Sequence, residues 1–487
     1  MRLSELLAPG EGQIFGGDVE IHGIEYDSRR LEEGGLFVAV PGFTMDGHEF
    51  IPDAIARGAS AVMVETMQPN LDVPQILVKN CRQAMSQAAR CFFGDPAARL
   101  RVIAVTGTNG KTTTTFLIKQ GLESAGFRVA LMGTIQNMIG DAVYPAARTT
   151  PEAIDIQRFL AQAVSEGCQY LVFEASSHGL ALGRIDDVEV DVAVFTNLSQ
   201  DHLDFHDSFE AYFEAKAQLF HQLNRHRSKP SKAAVINGDD PYGQRLMKFD
   251  LPNVYPYGIH EGSIQASQVC IHGSGVSYRL QSPTHEFAVD LPLAGMFNVY
   301  NSLAAAAVLI HEGFDTAAMQ RAMEALRPVP GRFELVQVGQ PFPVVVDYAH
   351  TPDGLTNVMA TARSVCSGRV IAVFGAGGDR DAAKRPLMAA AAGEFADYII
   401  ITSDNPRSEE PLAICGQVEQ GLIAMGFRAY HVEPSRQVAI QQAVTMANAD
   451  DIVVIAGKGH ETYQEVSGKR SHFDDREVAG AALKELS

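Results

Sequence analysis

The segment Thr106-Gly107-Thr108-Asn109-Gly110-Lys111-Thr112-Thr113 joins two glycines, a lysine and a run of hydroxyls, the residue types that wrap phosphate. Glycines let backbone N–H groups turn onto phosphate oxygens, and a helix opening at Lys111 adds partial positive charge at its N-terminus. Lys111 is placed to reach the outer phosphates and Thr112 to ligate Mg²⁺. The segment departs from the general GxxxxGK[ST] pattern, because Val105 stands where the first glycine belongs. A nucleoside triphosphate site is expected here, but the loop alone names no reaction.

Two later apolar runs end in candidate metal ligands: Glu174 closes YLVFE, and His202 lies in Asn197-Leu198-Ser199-Gln200-Asp201-His202. Taken singly, a carboxylate at a strand end is a turn or cap residue; with a phosphate loop upstream it becomes a Mg²⁺ ligand. Lys216 falls in YFEAKAQLF beside the apolar band Tyr212, Phe213, Leu219 and Phe220. On spacing alone it reads as an exposed lysine whose stem covers that band. Asp404-Asn405-Pro406-Arg407 closes a further apolar run. Read alone, Arg407 is a surface arginine paired with Glu409 or Glu410. Its planar fork could equally bind a ligand carboxylate in bidentate fashion.

These groups need a scaffold. From about residue 100, β-branched runs alternate with helical patterns: RVIAVTG, RVALMGTI, YLVFEAS, VDVAVFTNLS and KAAVINGDD, with a helix over 208–223. Such strands, buried on both faces, imply a parallel sheet with crossover helices. The pattern restarts at PVVVDYAH (343–350). RVIAVFGAGGDRD, DYIIITSDNPR and DIVVIAGKGHE each end in a polar turn, so all three turns should face one crevice beyond the strand ends. Two prolines and a glycine near 327–336 mark a boundary. The reading is an α/β protein of three domains: a small mixed α/β unit (1–98), a central P-loop ATPase-like domain with a parallel or mixed sheet (99–332) and a C-terminal Rossmann-like domain (333–487).

The 487 residues carry a net charge of −19, which disfavours a surface that tracks nucleic acid or anionic membrane. Six scattered cysteines without a CxxC pair fit a reducing compartment. No apolar stretch approaches the ~18–20 residues of a spanning helix. The N-terminal stretch lacks an apolar signal segment. A cytoplasmic protein without membrane insertion or nucleic-acid partner is expected.

Several motifs together resemble the Mur ligase family, which assembles the peptidoglycan peptide stem: TGTNGKTT, ARTTPE (147–152), FEASSHGL (173–180), TNLSQDHLDFH (196–206), AYFEAKAQLF (211–220), GMFNVYNSLAAA (295–306), PGRFE (330–334) and VDYAHTPDGL (346–355). They run in family order over nearly the whole chain. The resemblance implies an ATP-dependent amide-bond-forming ligase that activates a carboxylate as an acyl phosphate and acts as a monomer. It implies that Glu174 and His202 hold Mg²⁺. Lys216 becomes a CO₂-derived carbamate steadying a second Mg²⁺, a role the residues alone do not indicate. Gly107 to Thr113, Asn301, Arg332, Asp347 and His350 become ATP contacts.

YDSRRLEEGGLFVAVPGFTMDGHEFIPDAI (26–55) resembles the family's uridine-binding unit for UDP-N-acetylmuramoyl-L-alanyl-D-glutamate. That implies Ser28 on the diphosphate side and Phe43, Thr44 and Met45 at the uracil. Thr149, Thr150, Ser176 and Arg184 become contacts to diphosphate, sugar and peptide; Leu182 stands where relatives often carry glutamine. The Asp404-Asn405-Pro406-Arg407 tetrad resembles the signature of members that add meso-diaminopimelate. Arg380 and Arg407 would bind its distal carboxylate, and Glu461 with the Gly457 backbone its distal ammonium. A lysine-adding member, a folylpolyglutamate synthase-like ligase and a nucleotide-gated binding module are the alternatives.

Overall fold

The computed structural model describes residues 1–42, 45–225, 229–273 and 275–486. Three separate sheets carry the chain. The first has five strands between Gln13 and Leu77, parallel except for the edge strand Gln13–Phe15. The second has eleven strands between Arg101 and Leu291, the third has five between Glu334 and Val432 and a sixth at Ile452–Ala456, and a two-stranded hairpin, Tyr463–Val466 with Lys469–His472, stands beside these three.

In the middle sheet the strand Arg101–Thr106 lies between Tyr170–Glu174 and Val192–Phe195, all parallel. Glu174 pairs in register with Val105, and Phe195 with Thr106, so three strands end at one level. Their following residues therefore emerge side by side at the carboxyl edge, where open α/β sheets bind ligands. The sheet is mixed: Gln136–Ile139 and Ala142–Pro145 form an antiparallel hairpin at one edge, and Ile264–His272, Gly275–Gln281 and Glu286–Leu291 an antiparallel meander at the other.

The helix Lys111–Ser124 contains four consecutive threonines, β-branched residues with reduced helical freedom. Burial overrides that preference, since Thr112 to Lys119 are all buried. Thr115 returns its hydroxyl to the Thr112 carbonyl at 2.8 Å, and Thr114 gives its hydroxyl to Asn301 at 3.3 Å.

The third sheet runs Val344–Asp347, Ile452–Ala456, Val370–Phe374, Tyr398–Ile401 in parallel, with Glu334–Val336 antiparallel at the edge. The C-terminal unit closes onto the middle one. Asn109 Nδ2 donates to Asp353 at 2.7 Å and Lys384 lies 3.6 Å from Asp201, while Arg332, at the boundary of the two units, donates to the Thr112 hydroxyl at 3.1 Å. The N-terminal core continues onto Ala153 and Ile154 of the helix Ala153–Ser165, flanked by Tyr26–Asp155 (2.7 Å) and Arg82–Glu152 (3.2 Å) bonds.

Candidate active site

The phosphate loop begins one turn later than the general pattern. Val105 is a fully buried strand residue, and the backbone turns instead at Gly107 (φ +146°) and Gly110 (φ +84°). A Cβ on Gly107 would overlap the Thr196 hydroxyl, and one on Gly110 the Asn301 side chain. Only glycine fits both the backbone angle and the space.

Lys111 and Lys216 converge on this loop. Lys111 Nζ donates to the Gly107 (3.0 Å) and Thr108 (2.8 Å) carbonyls, and Lys216 Nζ donates to Gly107 at 2.7 Å. The exposed placement expected for Lys216 is corrected: it is 2 % exposed, on the buried stripe Tyr212–Lys216–Leu219–Leu223 of the helix Phe209–Arg225, with its ammonium 4.5 Å from the Tyr212 ring centre. Burial first, then the neighbouring Lys111 charge, holds its pKa well below the usual lysine value, against the pull of Asp201. Burial also lowers Lys111.

Glu174 is 1 % exposed. It accepts from the Thr112 hydroxyl at 3.0 Å and from the Thr134 backbone (2.7 Å) and hydroxyl (3.0 Å). It has no ion pair among the described residues, so its charge is met by neutral donors. A Cβ on Gly133 would collide with this carboxylate. His202, in a left-handed backbone (φ +55°), stands 3.4 Å from Asp201 and edge-on to His178. Burial lowers its pKa, against the pull of Asp201. Among the described residues no group of three His, Cys, Asp or Glu is close enough to hold a metal ion. Thr112 and Glu174 are brought together as oxygen donors that suit Mg²⁺, whereas His202 and Lys216 are engaged with Asp201 and the Gly107 carbonyl.

Two cavities flank this centre. One, of about 260 Å³, is lined by Asn109, Gly110, Thr113, Asn301, Arg332, Asp347 and His350, which joins the loop to every expected ATP contact outside it. Arg332 stacks 4.5 Å from the Tyr348 ring centre, and its buried Nε lacks a partner. Asp347 has both carboxylate oxygens on backbone N–H groups, of Phe333 (2.6 Å) and Ala349 (2.7 Å). It therefore shapes the wall. Sequence reasoning missed Asp353, which bonds Asn109 and Ser199 and lies inside the quoted VDYAHTPDGL motif.

The second cavity, about 480 Å³, gathers Thr149, Thr150, Ser176 and Arg184 from the middle domain with Arg380, Asp404, Asn405, Arg407, Gly457 and Glu461 from the C-terminal one; His202 and His350 line it too. All three C-terminal turns thus contribute to one crevice. Ser176 caps the helix Ser177–Ala181, which ends at Leu182, and Thr150 bridges the Glu174 carbonyl and the Ser176 N–H. Arg184 pairs with Glu152 at 2.8 Å, and its buried Nε is unpartnered. Ser28, buried in the turn Ser28–Arg30, and Met45, 62 % exposed, do not line this cavity; Phe43 and Thr44 lie outside the described residues.

Asn405 and Glu461 share a bond of 2.8 Å, and Lys458, fully buried and overlooked in the GKGHE motif, donates to both. Glu461 is therefore already paired, and offers an incoming ammonium its remaining oxygen. Pro406 is buried behind the turn. Arg407 adopts φ +55° and donates to the Gly378 carbonyl at 2.6 Å. Left-handed backbone at a bulky, non-glycine residue is uncommon and concentrates at functional sites. The alternative surface pairing is absent: Glu409 bonds Arg385, and Glu410 caps the helix Pro411–Ala424.

Three Mur ligase models match the chain: "Mur ligase family, catalytic domain" over 20–93, "Mur ligase middle domain" over 105–309 and "Mur ligase, glutamate ligase domain" over 331–459. A UDP-N-acetylmuramoyl-L-alanyl-D-glutamate--2,6-diaminopimelate ligase of Geobacillus kaustophilus is 46 % identical over 100 % of both chains. The chain belongs to the Mur ligase family. A solved structure of a ligase of that same description is 38 % identical, with a TM-score of 0.67 over 96 % of this Mur ligase and 95 % of the other chain. A MurF ligase from Thermotoga maritima in complex with ADP shares the fold, with 19 % identity, a TM-score of 0.65 and 95 % and 96 % coverage.

Proposed function

We propose that this Mur ligase joins meso-2,6-diaminopimelate to the γ-carboxylate of the D-glutamate in UDP-N-acetylmuramoyl-L-alanyl-D-glutamate, using ATP, in peptidoglycan assembly. The observation that carries the reading is the second cavity, where Arg184, Ser176 and Thr149 from one domain face Arg407, Asn405 and Glu461 from another, beside the phosphate loop. The joint family matches and the full-length relatives named as diaminopimelate ligases support the same reaction.

The γ-phosphoryl group passes from ATP to an oxygen of the D-glutamate γ-carboxylate, the bond to the β-phosphate oxygen breaks, and ADP leaves. The loop amides and the helix N-terminus at Lys111 meet the phosphates. Lys111, whose ammonium rests on the Gly107 and Thr108 carbonyls, turns toward the incoming phosphate. The amine of diaminopimelate, its ammonium having given up one proton, then attacks the acyl carbon; the C–N bond forms, nitrogen loses a second proton, the acyl C–O bond breaks, and inorganic phosphate leaves carrying one former carboxylate oxygen. Arg407 offers a fork to the distal carboxylate, and Glu461 a carboxylate oxygen to the distal ammonium. Domain contact through Arg332, Asn109 and Asp353 keeps water from the mixed anhydride.

Thr112, Glu174, His202 and a carbamate on Lys216 would hold Mg²⁺, two ions in all, and the cations supply positive charge where negative charge builds on the transferring group. Lys216 is chemically suited to the carbamate, since burial favours its free amine, which adds CO₂ with release of one proton. No helix among the described residues is long and apolar enough to cross a membrane. ATP and a nucleotide sugar as substrates support a cytoplasmic reaction, and one chain lines both cavities, which supports a monomer.

The direct test labels the D-glutamate γ-carboxylate with ¹⁸O. The acyl phosphate route places one ¹⁸O in the released phosphate. Unlabelled phosphate with product formation would rule that route out.

A further inference from the structure

Arg407 lies near acidic residues, and although its charge helps lower the Asp379 carboxyl, it forms no ion pair with any described residue. Glu410 accepts the Ala413 N–H as a helix cap, and Asp379 accepts from the Ser408 N–H (3.2 Å) and hydroxyl (2.6 Å). Glu409 is held by Arg385, whose NH1 and NH2 reach its two carboxylate oxygens at 2.8 Å each. Arg385 is 1 % exposed, at the start of the helix Lys384–Gly393, and is fixed further by Gln417 (2.7 Å) and the Gly377 carbonyl (3.0 Å).

The geometry brings the competitor close. Glu409 accepts the Asp379 N–H at 2.5 Å while Arg407 donates to the Gly378 carbonyl at 2.6 Å, so both side chains rest on consecutive residues of one turn. A carboxylate two residues along the same loop would meet Arg407 at an effective concentration that a dissolved amino acid cannot match. The hydrogen bonds from Arg385 hold the Glu409 carboxyl down at about 2; an ordinary glutamate carboxyl is also ionised at neutral pH, so Glu409 released from Arg385 remains a charged competitor.

We propose that Arg385 is a positioning residue that draws Glu409 aside and leaves the Arg407 guanidinium for the distal carboxylate of the incoming amino acid. The inference rests on the diaminopimelate reading above. Arg385 touches no substrate; it sets acceptor choice by occupying the acid that would otherwise cancel Arg407.

The test compares wild type with Arg385→Gln, Arg385→Lys and the double variant Arg385→Gln with Glu409→Gln, measuring KM for diaminopimelate and for ATP, turnover of L-lysine, and melting temperature. Arg385→Gln keeps amide donors for Gln417 and Gly377 but frees Glu409, and is expected to raise the diaminopimelate KM about tenfold or more with the ATP KM within about twofold. Removal of the freed acid in the double variant brings the diaminopimelate KM back to within about threefold of wild type, and Arg385→Lys stays near wild type. L-Lysine use relative to diaminopimelate rises in Arg385→Gln, since a neutralised Arg407 no longer repels its ammonium; a general disturbance would lower both. Equal KM values in the single and double variants overturn the proposal. If Arg385→Gln does not accumulate folded, Glu409→Gln and Arg385→Lys carry the test: wild-type diaminopimelate KM in both supports it, and a tenfold rise in either overturns it. Failure of wild type itself to consume diaminopimelate sinks the functional reading instead.

Discussion

Lys216 shows how one residue can carry chemistry that its type conceals. Its amine is buried against Tyr212, and the neighbouring Lys111 adds repulsion, so its pKa is held well below the usual lysine value. Lys216→Ala is expected to lower turnover by about 100-fold or more, and short carboxylic acids should restore part of it by standing in for the carbamate. A variant with wild-type turnover, or one no acid rescues, contradicts the role. His460 makes a second prediction. Burial, aided by Arg332, Arg476 and Lys458, lowers its pKa to about 3, and its Nδ1 is buried without a partner. Above pH ~6.5 both folded and unfolded forms are neutral; below it the unfolded chain takes a proton that the folded one refuses, so stability falls with pH down to about 3. Other depressed histidines, such as His202 and His206, act in the same sense. His460→Gln should therefore reduce, without abolishing, the difference between denaturation midpoints at pH 8 and pH 5. An unchanged difference contradicts this. The sequence displayed Lys216 inside a motif, but helical spacing left its side open: Lys216 follows Tyr212 by four and precedes Leu219 by three, and a charged residue on such a stripe is read outward until packing decides. Arg385 and Lys458 were harder still. Their partners, Glu409 and Glu461, are ordinary acids until the fold brings them within 2.8–2.9 Å.

At the scale of elements, the site is a consequence of register. Three parallel strands ending together deliver the phosphate loop, Glu174 and the Thr196–His206 segment to one edge. Those strands were legible because each is a short β-branched run followed by a polar turn. The hairpin at 136–145 and the meander at 264–291 were not, since their alternation of buried and exposed positions, as in Glu286–Leu291, matches the polar stretches between motifs rather than continuous apolar runs. Gly107 tests the register argument. Gly107→Ala must adopt φ +146° beside Thr196, at about 1–3 kcal/mol of backbone strain plus steric overlap. Its ATP affinity, by titration calorimetry, should fall at least about tenfold. Gly126→Ala, also at positive φ but with open space around it, should lose stability and keep its ATP affinity. Equal affinities in the two variants contradict the account.

At the scale of the molecule, two domains each hold half of an acceptor cavity, and Arg332–Thr112, Asn109–Asp353 and Lys384–Asp201 draw the halves together. The restart of the strand pattern near 343 was readable, and the parallel strand Val344–Asp347 of the third sheet stands there. The contacts that join the two domains were not readable, because Asn109 and Asp353 are 244 positions apart and nothing local marks either as a partner. Ser28 and Met45 show the reverse limit: a motif on the N-terminal unit named them, yet neither lines the shared cavity. Phosphate release by the purified protein with ATP, offering UDP-N-acetylmuramoyl-L-alanyl-D-glutamate, diaminopimelate and L-lysine singly and in pairs, tests the central claim most directly. Release is expected only when the muramoyl dipeptide and diaminopimelate are both present, with L-lysine a poor substitute. Release that needs neither, or that proceeds equally well with L-lysine, would contradict it.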